Sequence, residues 1–199
     1  MPLPLIGTRV QLRCFRPDDV KDVFAFASDP HVSRFVEWEP HRSPQESAAY
    51  IRRCLEPNRR CLTLAVELRE AHRVVGTVDV RVVSWLRRRG EIGYTIARPY
   101  WGTGINIEAG RLLLDYSFRE LHLWRILAAC DVANRRSYRT MEKLGMARNR
   151  RIARARLEGG TPIDRYEYSI SWWQWRRQRQ YGRAPAATTA DGGIRLTSP

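Results

Sequence analysis

Apolar and polar residues alternate with period two over Thr8 to Phe15, 61 to 69, 73 to 84 and 90 to 97, and each stretch predicts a strand. Polar turns at Glu70 to His72 and Arg87 to Gly90 separate the later ones. Two helices are expected between the first and second strands. One opens at Arg16-Pro17-Asp18-Asp19 and runs to about Ala27, with acidic residues at its positive dipole end. The other starts at Ser43-Pro44-Gln45-Glu46, which reads as a capping box with proline at the first helical position, and runs to about Leu55. The linking segment, Asp29 to Arg42, holds Phe35, Trp38, His31 and His41 and could wall a substrate pocket.

Beyond residue 100 the period changes. Ala109, Leu112, Leu113 and Tyr116 fall at helical spacing, Arg125 to Cys130 reads as a strand, and a short helix after Asn134 ends at Gly145. A final hairpin is expected from 148–157 and 163–172 across Glu158-Gly159-Gly160-Thr161. After Tyr181 the chain turns to Gly, Ala, Pro, Thr and Ser, so residues 1–181 are expected to form one domain and 182–199 a disordered tail.

The strand at 90–97 and the helix at Ala109 are joined by Arg98-Pro99-Tyr100-Trp101-Gly102-Thr103-Gly104-Ile105-Asn106-Ile107-Glu108. A glycine turn feeding a helix start offers unpaired N–H groups and a positive dipole end, which suits an anion. The turn is neither a dinucleotide fingerprint, because Ile107 stands where a third small residue is needed, nor a Walker loop, because Gly104-Ile105-Asn106 replaces G-K-[ST].

A second signature follows at Asp131-Val-Ala-Asn134-Arg-Arg-Ser137 and Met141-Glu142-Lys143-Leu144-Gly145-Met146. With Glu91-Ile-Gly-Tyr94 and Tyr100-Trp-Gly-Thr-Gly104 through Glu108-Ala109, these blocks resemble the GNAT superfamily of acyl-CoA N-acyltransferases. The details resemble the Rim-type branch, the ribosomal-protein N-terminal acetyltransferases and their small-amine relatives. The resemblance covers roughly residues 6–173 and is most specific over 90–146. It implies an α/β (α+β) GNAT fold: a mixed, mostly antiparallel sheet of six to seven strands, splayed between strands four and five, with about four helices. It also implies acetyl-CoA as cosubstrate. Its pyrophosphate would sit on Trp101, Gly102, Thr103, Gly104, Ile105 and Asn106, and its pantetheine arm along Tyr94, Thr95, Ile96 and Asn134. Two positions depart from the family pattern: Ile107, often threonine, and Met141, where many members carry a tyrosine acid. The acid role therefore moves to Ser137, near the sulfur, which would either donate a proton or only bind.

Acetyl transfer also needs a neutral amine. An α-amine has an ordinary pKa near 8 and a lysine amine near 10.4, so the base required depends on the acceptor. Glu91, at the start of strand four, is the first candidate, acting through water; Asp79, Glu37 and Glu39 are weaker ones. The oxyanion donor is expected to be a backbone N–H near Thr95. His31, His41, His72 and His122 accompany no nucleophile elbow, and Trp38 and Trp85 are the tryptophans expected at a pocket. A polypeptide α-amine or small amine is the expected acceptor. Another acyl group, an antibiotic amine, or a non-catalytic acyl-CoA- or RNA-associated module are the alternatives.

The chain carries a net charge of +14 from 35 basic residues, all arginine except Lys21 and Lys143. Residues 147–183 hold ten arginines against Glu158, Asp164 and Glu167. That segment reads either as a solvated face or as a dock for a ribosome or other acidic partner. Cys14, Cys54, Cys61 and Cys130 are scattered without metal-ligand spacing, so a reduced, cytoplasmic protein without bound metal is expected, as a monomer or homodimer. No apolar run approaches 18 residues, and no membrane association is expected.

Overall fold

Every period-two stretch joins one eight-stranded sheet in the computed structural model, which describes residues 3–36, 38–155 and 162–181. The strands are β1 (Leu5–Ile6), β2 (Val10–Arg13), β3 (Cys61–Leu68), β4 (Arg73–Ser84), β5 (Arg89–Ile96), β6 (Arg125–Asp131), β7 (Ala147–Ala155) and β8 (Ile163–Ser171). Their spatial order is β1-β2-β3-β4-β5-β6-β8-β7. All neighbours are antiparallel except β5 and β6. The mixed, mostly antiparallel sheet is as expected, with one strand more than the expected six to seven. Leu5–Ile6 pairs with Leu12 and Gln11, a two-residue bridge too short to show periodicity.

Helices α1 (Val20–Ala27), α2 (Pro30–Ser33), α3 (Pro44–Leu55), α4 (Ile105–Arg119), α5 (Arg135–Lys143) and α6 (Trp172–Tyr181) make six among the described residues, where about four were expected. The first predicted helix is divided: Pro17–Asp19 forms a 3-10 turn and the α-helix begins at Val20. At α3 the Ser43 hydroxyl accepts from the Glu46 N–H at 3.4 Å, while the Glu46 carboxylate reaches Arg42 N–H rather than closing on Ser43. The unexpected α6 is Arg- and Gln-rich. It is held by Trp172 and Trp175, one turn apart with ring centroids 5.1 Å apart, which pack on Phe118 of α4. The turn of the last hairpin, Glu37 and the expected tail lie outside the described residues.

The two faces of the sheet carry separate cores. Val78, Val80, Ile92, Leu113, Leu114, Phe118 and Ile126 bury against α4, while Phe15, Val23, Phe26, Val32, Ile51 and Ala65 fill the side covered by α1, α2 and α3. A buried ion cluster fixes the second layer. Both terminal nitrogens of Arg13 donate to Asp19 at 2.7 Å, and its Nε donates to Glu67, to which Gln11 also donates at 2.7 Å. Arg13, Asp19 and Glu67 are 6%, 7% and 3% exposed, so each charge depends on its partners for the solvation it has lost.

The arginines of the hairpin lie along β7, the outer strand of the sheet. Arg150 pairs with Glu167 at 3.2 Å, Arg151 pairs with Asp164, and Arg148 lies over the Tyr166 ring. Charge along an exposed edge strand opposes pairing with the strand of another chain.

Replacing Arg13 by Ala would strand two buried carboxylates and is expected to cost about 3–5 kcal/mol in chemical denaturation. Burial alone would raise the Glu67 carboxyl, but hydrogen bonds from Arg13 and Gln11 outweigh it and hold it below its ordinary value of 4.5. A depressed native pKa contributes stability above pH 4.5 that is lost as the pH falls through the native value. The acid limb of the native protein should therefore be steeper than that of the Arg13→Ala variant.

Candidate active site

The ladder between β5 and β6 has three pairs, Arg89 with Arg125, Gly90 with Ile126 and Glu91 with Leu127. Beyond Glu91, β5 stays paired to β4 as far as Ile96, while β6 stays paired to β8 as far as Asp131. The two strands thus separate into a slot edged by Ile92–Ile96 on one side and 128–131 on the other. This is the expected splay.

The slot leads to the glycine turn. Gly102 and Gly104 have φ of +80° and +86°, backbone that side chains with a Cβ rarely adopt. Gly104 is the N-cap of α4 and no side chain caps that start, which leaves the first N–H groups to an external acceptor. Asn106 Oδ1, in that first turn, is buried without a hydrogen-bond partner in the described structure. That oxygen is an acceptor and calls for a donor; it is the uncapped N–H groups and the two positive-φ glycines that fit a phosphate-bearing ligand.

Positive charge reaches the turn from positions with no local sequence signal. Arg9, just before β2, donates from Nη1 to Thr103 O at 2.9 Å, and its Nη2 lies 3.3 Å from where a Cβ on Gly104 would stand. Glu108 holds it there, pairing with Arg9 Nε at 3.2 Å and accepting the Arg9 backbone N–H at 2.8 Å. The Arg136 guanidinium of α5 stacks over Trp101, 4.6 Å from the ring centroid, and the Trp101 indole donates to Ile96 O at 2.7 Å. Arg98 pairs with Asp29 at 2.9 Å, linking the turn to the helical layer on the other face.

Asn134 is the N-cap of α5, its Oδ1 accepting from Ser137 N–H at 3.1 Å. That oxygen is committed to the helix, which leaves the amide NH2 for a ligand. The Tyr94 phenol crosses from β5 to donate to Ser137 O at 2.9 Å and lies 3.1 Å from Ser137 Oγ. Burial pushes the Tyr94 phenol well above its ordinary range, so it is neutral. Met141 is 1% exposed within the α4 core, and Tyr138 packs edge-on against Tyr166.

Glu91 stands at the fork of the slot, opposite Arg81 in register and 3.5 Å from its guanidinium. Thr95 and Ile96 pair with Thr77 and Gly76 and edge the slot. Glu39 is exposed, and Trp85 is half exposed near the β4–β5 turn, at the opposite end of β5 from the glycines. Trp38 does pack on the second core. Among the described residues no cluster of His, Cys, Asp or Glu could hold a metal ion, and no helix is long and apolar enough to cross a membrane.

The sequence profile of the acetyltransferase (GNAT) domain matches residues 9–147. The uncharacterized N-acetyltransferase YoaA of Bacillus subtilis is 29% identical over 170 residues, 84% of this chain and 96% of its own. Spermidine N(1)-acetyltransferase of Escherichia coli is 25% identical over 139 residues, 69% of this chain and 73% of its own. Among solved structures, a GNAT-family acetyltransferase from Bacillus anthracis superposes with a TM-score of 0.76 at 26% identity, covering 85% of this chain and 98% of that one. A splayed sheet that opens onto a left-handed glycine turn, over a stretch that the domain profile spans almost end to end, has one reading: the chain belongs to the GNAT acetyltransferase family, enzymes that move an acetyl group from acetyl-CoA to an amine.

Proposed function

We propose that Trp101 to Asn106 bind the acetyl-CoA pyrophosphate, that Tyr94, Thr95, Ile96 and Asn134 hold its pantetheine arm, and that Glu91 and Ser137 handle the protons. The observation that carries this reading is the β5–β6 ladder, which ends at Glu91 and opens toward two glycines of positive φ. Backbone groups along the slot have no strand partner on that side and match the amides of a pantetheine chain. Arg9 and Arg136 add the charge that a pyrophosphate needs.

In the reaction the amine nitrogen bonds to the thioester carbon, the C–S bond breaks, and sulfur leaves as thiolate. Glu91 takes the amine proton through a water molecule. Ser137, held by Tyr94 beside the slot, gives or relays a proton to the sulfur. The acceptor is a polypeptide α-amine or a small cationic amine, the latter being what the name of the E. coli relative states as its substrate.

Acetyl-CoA at 100 times its Kd should add about 2.7 kcal/mol to the stability of the native protein, read as a rise in Tm. Gly104→Asp should remove that rise by setting a side chain and a negative charge at the phosphate. No rise with the native protein at low salt would overturn the cofactor site. Asn134→Ala should weaken cofactor binding and also lower stability by about 1 kcal/mol through loss of the cap.

Kinetics separate the proton carriers. Glu91→Gln should reduce the rate most at low pH, where the amine is protonated, and least as the amine deprotonates unaided; a loss uniform with pH would make Glu91 a positioning residue. Ser137→Ala and Tyr94→Phe should both lower kcat with little change in KM for acetyl-CoA. An unchanged kcat in both would leave Ser137 a binding role.

The Arg-lined β7 favours a second acceptor, a peptide end on an acidic ribonucleoprotein. Acetylation of ribosomal particles should then fall with added salt far more than that of a short peptide. Equal salt sensitivity would remove docking from β7.

A further inference from the structure

At the closed end of the fork two arginines stand side by side. Arg89 of β5 and Arg125 of β6 are paired in register, so strand spacing sets their backbones about 4.8 Å apart. Ile92 and Ile126 are buried in the α4 core, and strand alternation therefore sends Arg89, Glu91, Arg125 and Leu127 to the opposite face of the sheet. On that face Arg89, Arg125 and Leu127 line an open cleft of about 360 Å³ together with Asn149 and Glu167. Glu91 is the register partner of Leu127, so the proposed proton acceptor stands next to the wall of this cleft.

The charges around the cleft are unequally matched. Arg81 answers Glu91 at 3.5 Å, and Arg150 answers Glu167 at 3.2 Å, with Asn149 Nδ2 donating to the same carboxylate at 3.4 Å. Arg125 is held by a neutral group instead. Its Nε and Nη2 donate to Ser169 Oγ at 3.1 and 2.8 Å, and that hydroxyl, on a residue 4% exposed, donates to Asn149 Oδ1 at 2.9 Å. The buried serine thus aims the guanidinium and leaves the Nη1 donors over. Arg89 is exposed and meets no carboxylate among the described residues. Two like charges held together, with both neighbouring carboxylates already paired, repel each other, and an anion between them removes the repulsion.

We infer that Arg89 and Arg125 bind an anionic group of the acceptor while its amine faces Glu91, which makes the substrate a polypeptide α-amine followed by an acidic residue. Alternate residues on one strand face are about 7 Å apart, and an extended chain advances about 3.3–3.6 Å per residue, so a carboxylate on the second or third residue reaches the arginines. A guanidinium fork matches a carboxylate in shape as well as charge. A free amino acid, with amine and carboxylate on one carbon, is too short for the span, and a polyamine would set an ammonium against two guanidiniums. The assignment rests on the cofactor slot and the Glu91 role proposed above, and of the acceptors proposed there it selects the polypeptide end.

Steady-state kinetics with acetyl-CoA and two tripeptide amides with free N-termini, alanyl-glutamyl-alanine amide and alanyl-glutaminyl-alanine amide, test it. The native protein should favour the glutamyl peptide in kcat/KM by about fivefold, the size that charge-assisted pairs in partial contact with water supply. Arg89→Gln should raise KM for the glutamyl peptide by about that factor, with the glutaminyl peptide and the acetyl-CoA rise in Tm unchanged, and Arg89→Glu should reverse the preference. Arg89 is exposed and unpaired with acid, so these variants keep the fold. Arg111→Gln, exposed on α4 across the sheet, removes the same charge elsewhere and should keep the preference. No preference in the native protein, an equal loss on both peptides in Arg89→Gln, or loss of the preference in Arg111→Gln would overturn the inference. Acetylation of neither peptide by a protein whose Tm rises with acetyl-CoA would overturn it alone; absence of that rise would instead sink the cofactor reading.

Discussion

The geometry of the site depends on where one parallel ladder stops. Strand β5 is bound along its far side to β4 as far as Ile96, and β6 along its far side to β8 as far as Asp131, so neither can bend to follow the other. Three pairs hold them together at the Arg89 and Arg125 ends, after which they part. Backbone N–H and C=O groups that would close a sheet instead face a slot, and an unpaired backbone group away from water needs another partner. One is already supplied from the protein, since the Trp101 indole takes Ile96 O. The slot is thus a consequence of sheet connectivity, and the glycine turn sits at its mouth because β5 feeds directly into it.

Separate contacts keep the two sides of that slot in register. Tyr94 reaches Ser137 and Trp101 carries Arg136, so α5 is tied to β5 by a pair of hydroxyl contacts and a cation–π stack where no strand hydrogen bonds remain. On the other side Glu108 receives the backbone of Arg9 and Val10, which seats the first turn of α4 against β2. Burial would raise the Glu108 carboxyl, but the N–H groups of Arg9 and Val10 hold it below its ordinary range. A glutamate of the glycine motif therefore braces the glycine turn from behind, and it brings the Arg9 cation to the turn as it does so.

The opposite face is organised by the Arg13 cluster, which fastens the Asp19 turn at the start of α1 to β2 and β3. With that layer fixed, Tyr50 of α3 reaches Thr77 of β4 and carries with it the row of Phe15, His41 and Trp38. The Asp29–Arg98 pair links this layer to the segment that leads into the glycine turn.

What the sequence determined by itself are features fixed within a few residues of chain. Gly102 and Gly104 were legible as a turn because positive φ is cheap only for glycine; Asn134 and Ser43 were legible near helix starts because a cap closes on an N–H three residues on. The order of motif blocks likewise carried the fold class, since each block marks one junction of the sheet. Only the tertiary structure decided the rest. Arg9 meets Thr103 and Tyr94 meets Ser137 across 94 and 43 residues, and no local pattern encodes such a pairing. Glu91 and Asp79 are both strand carboxylates on paper, and register alone sets one beside Arg81 and the other across Gly93. Trp85 and Trp38 look equally suited to a pocket until the β4–β5 turn carries one out to solvent and the Arg13-anchored layer brings the other in. Side-chain partners in a sheet are chosen by strand order and register, properties of the whole chain, whereas turns and caps are chosen by the backbone conformations open to a single residue.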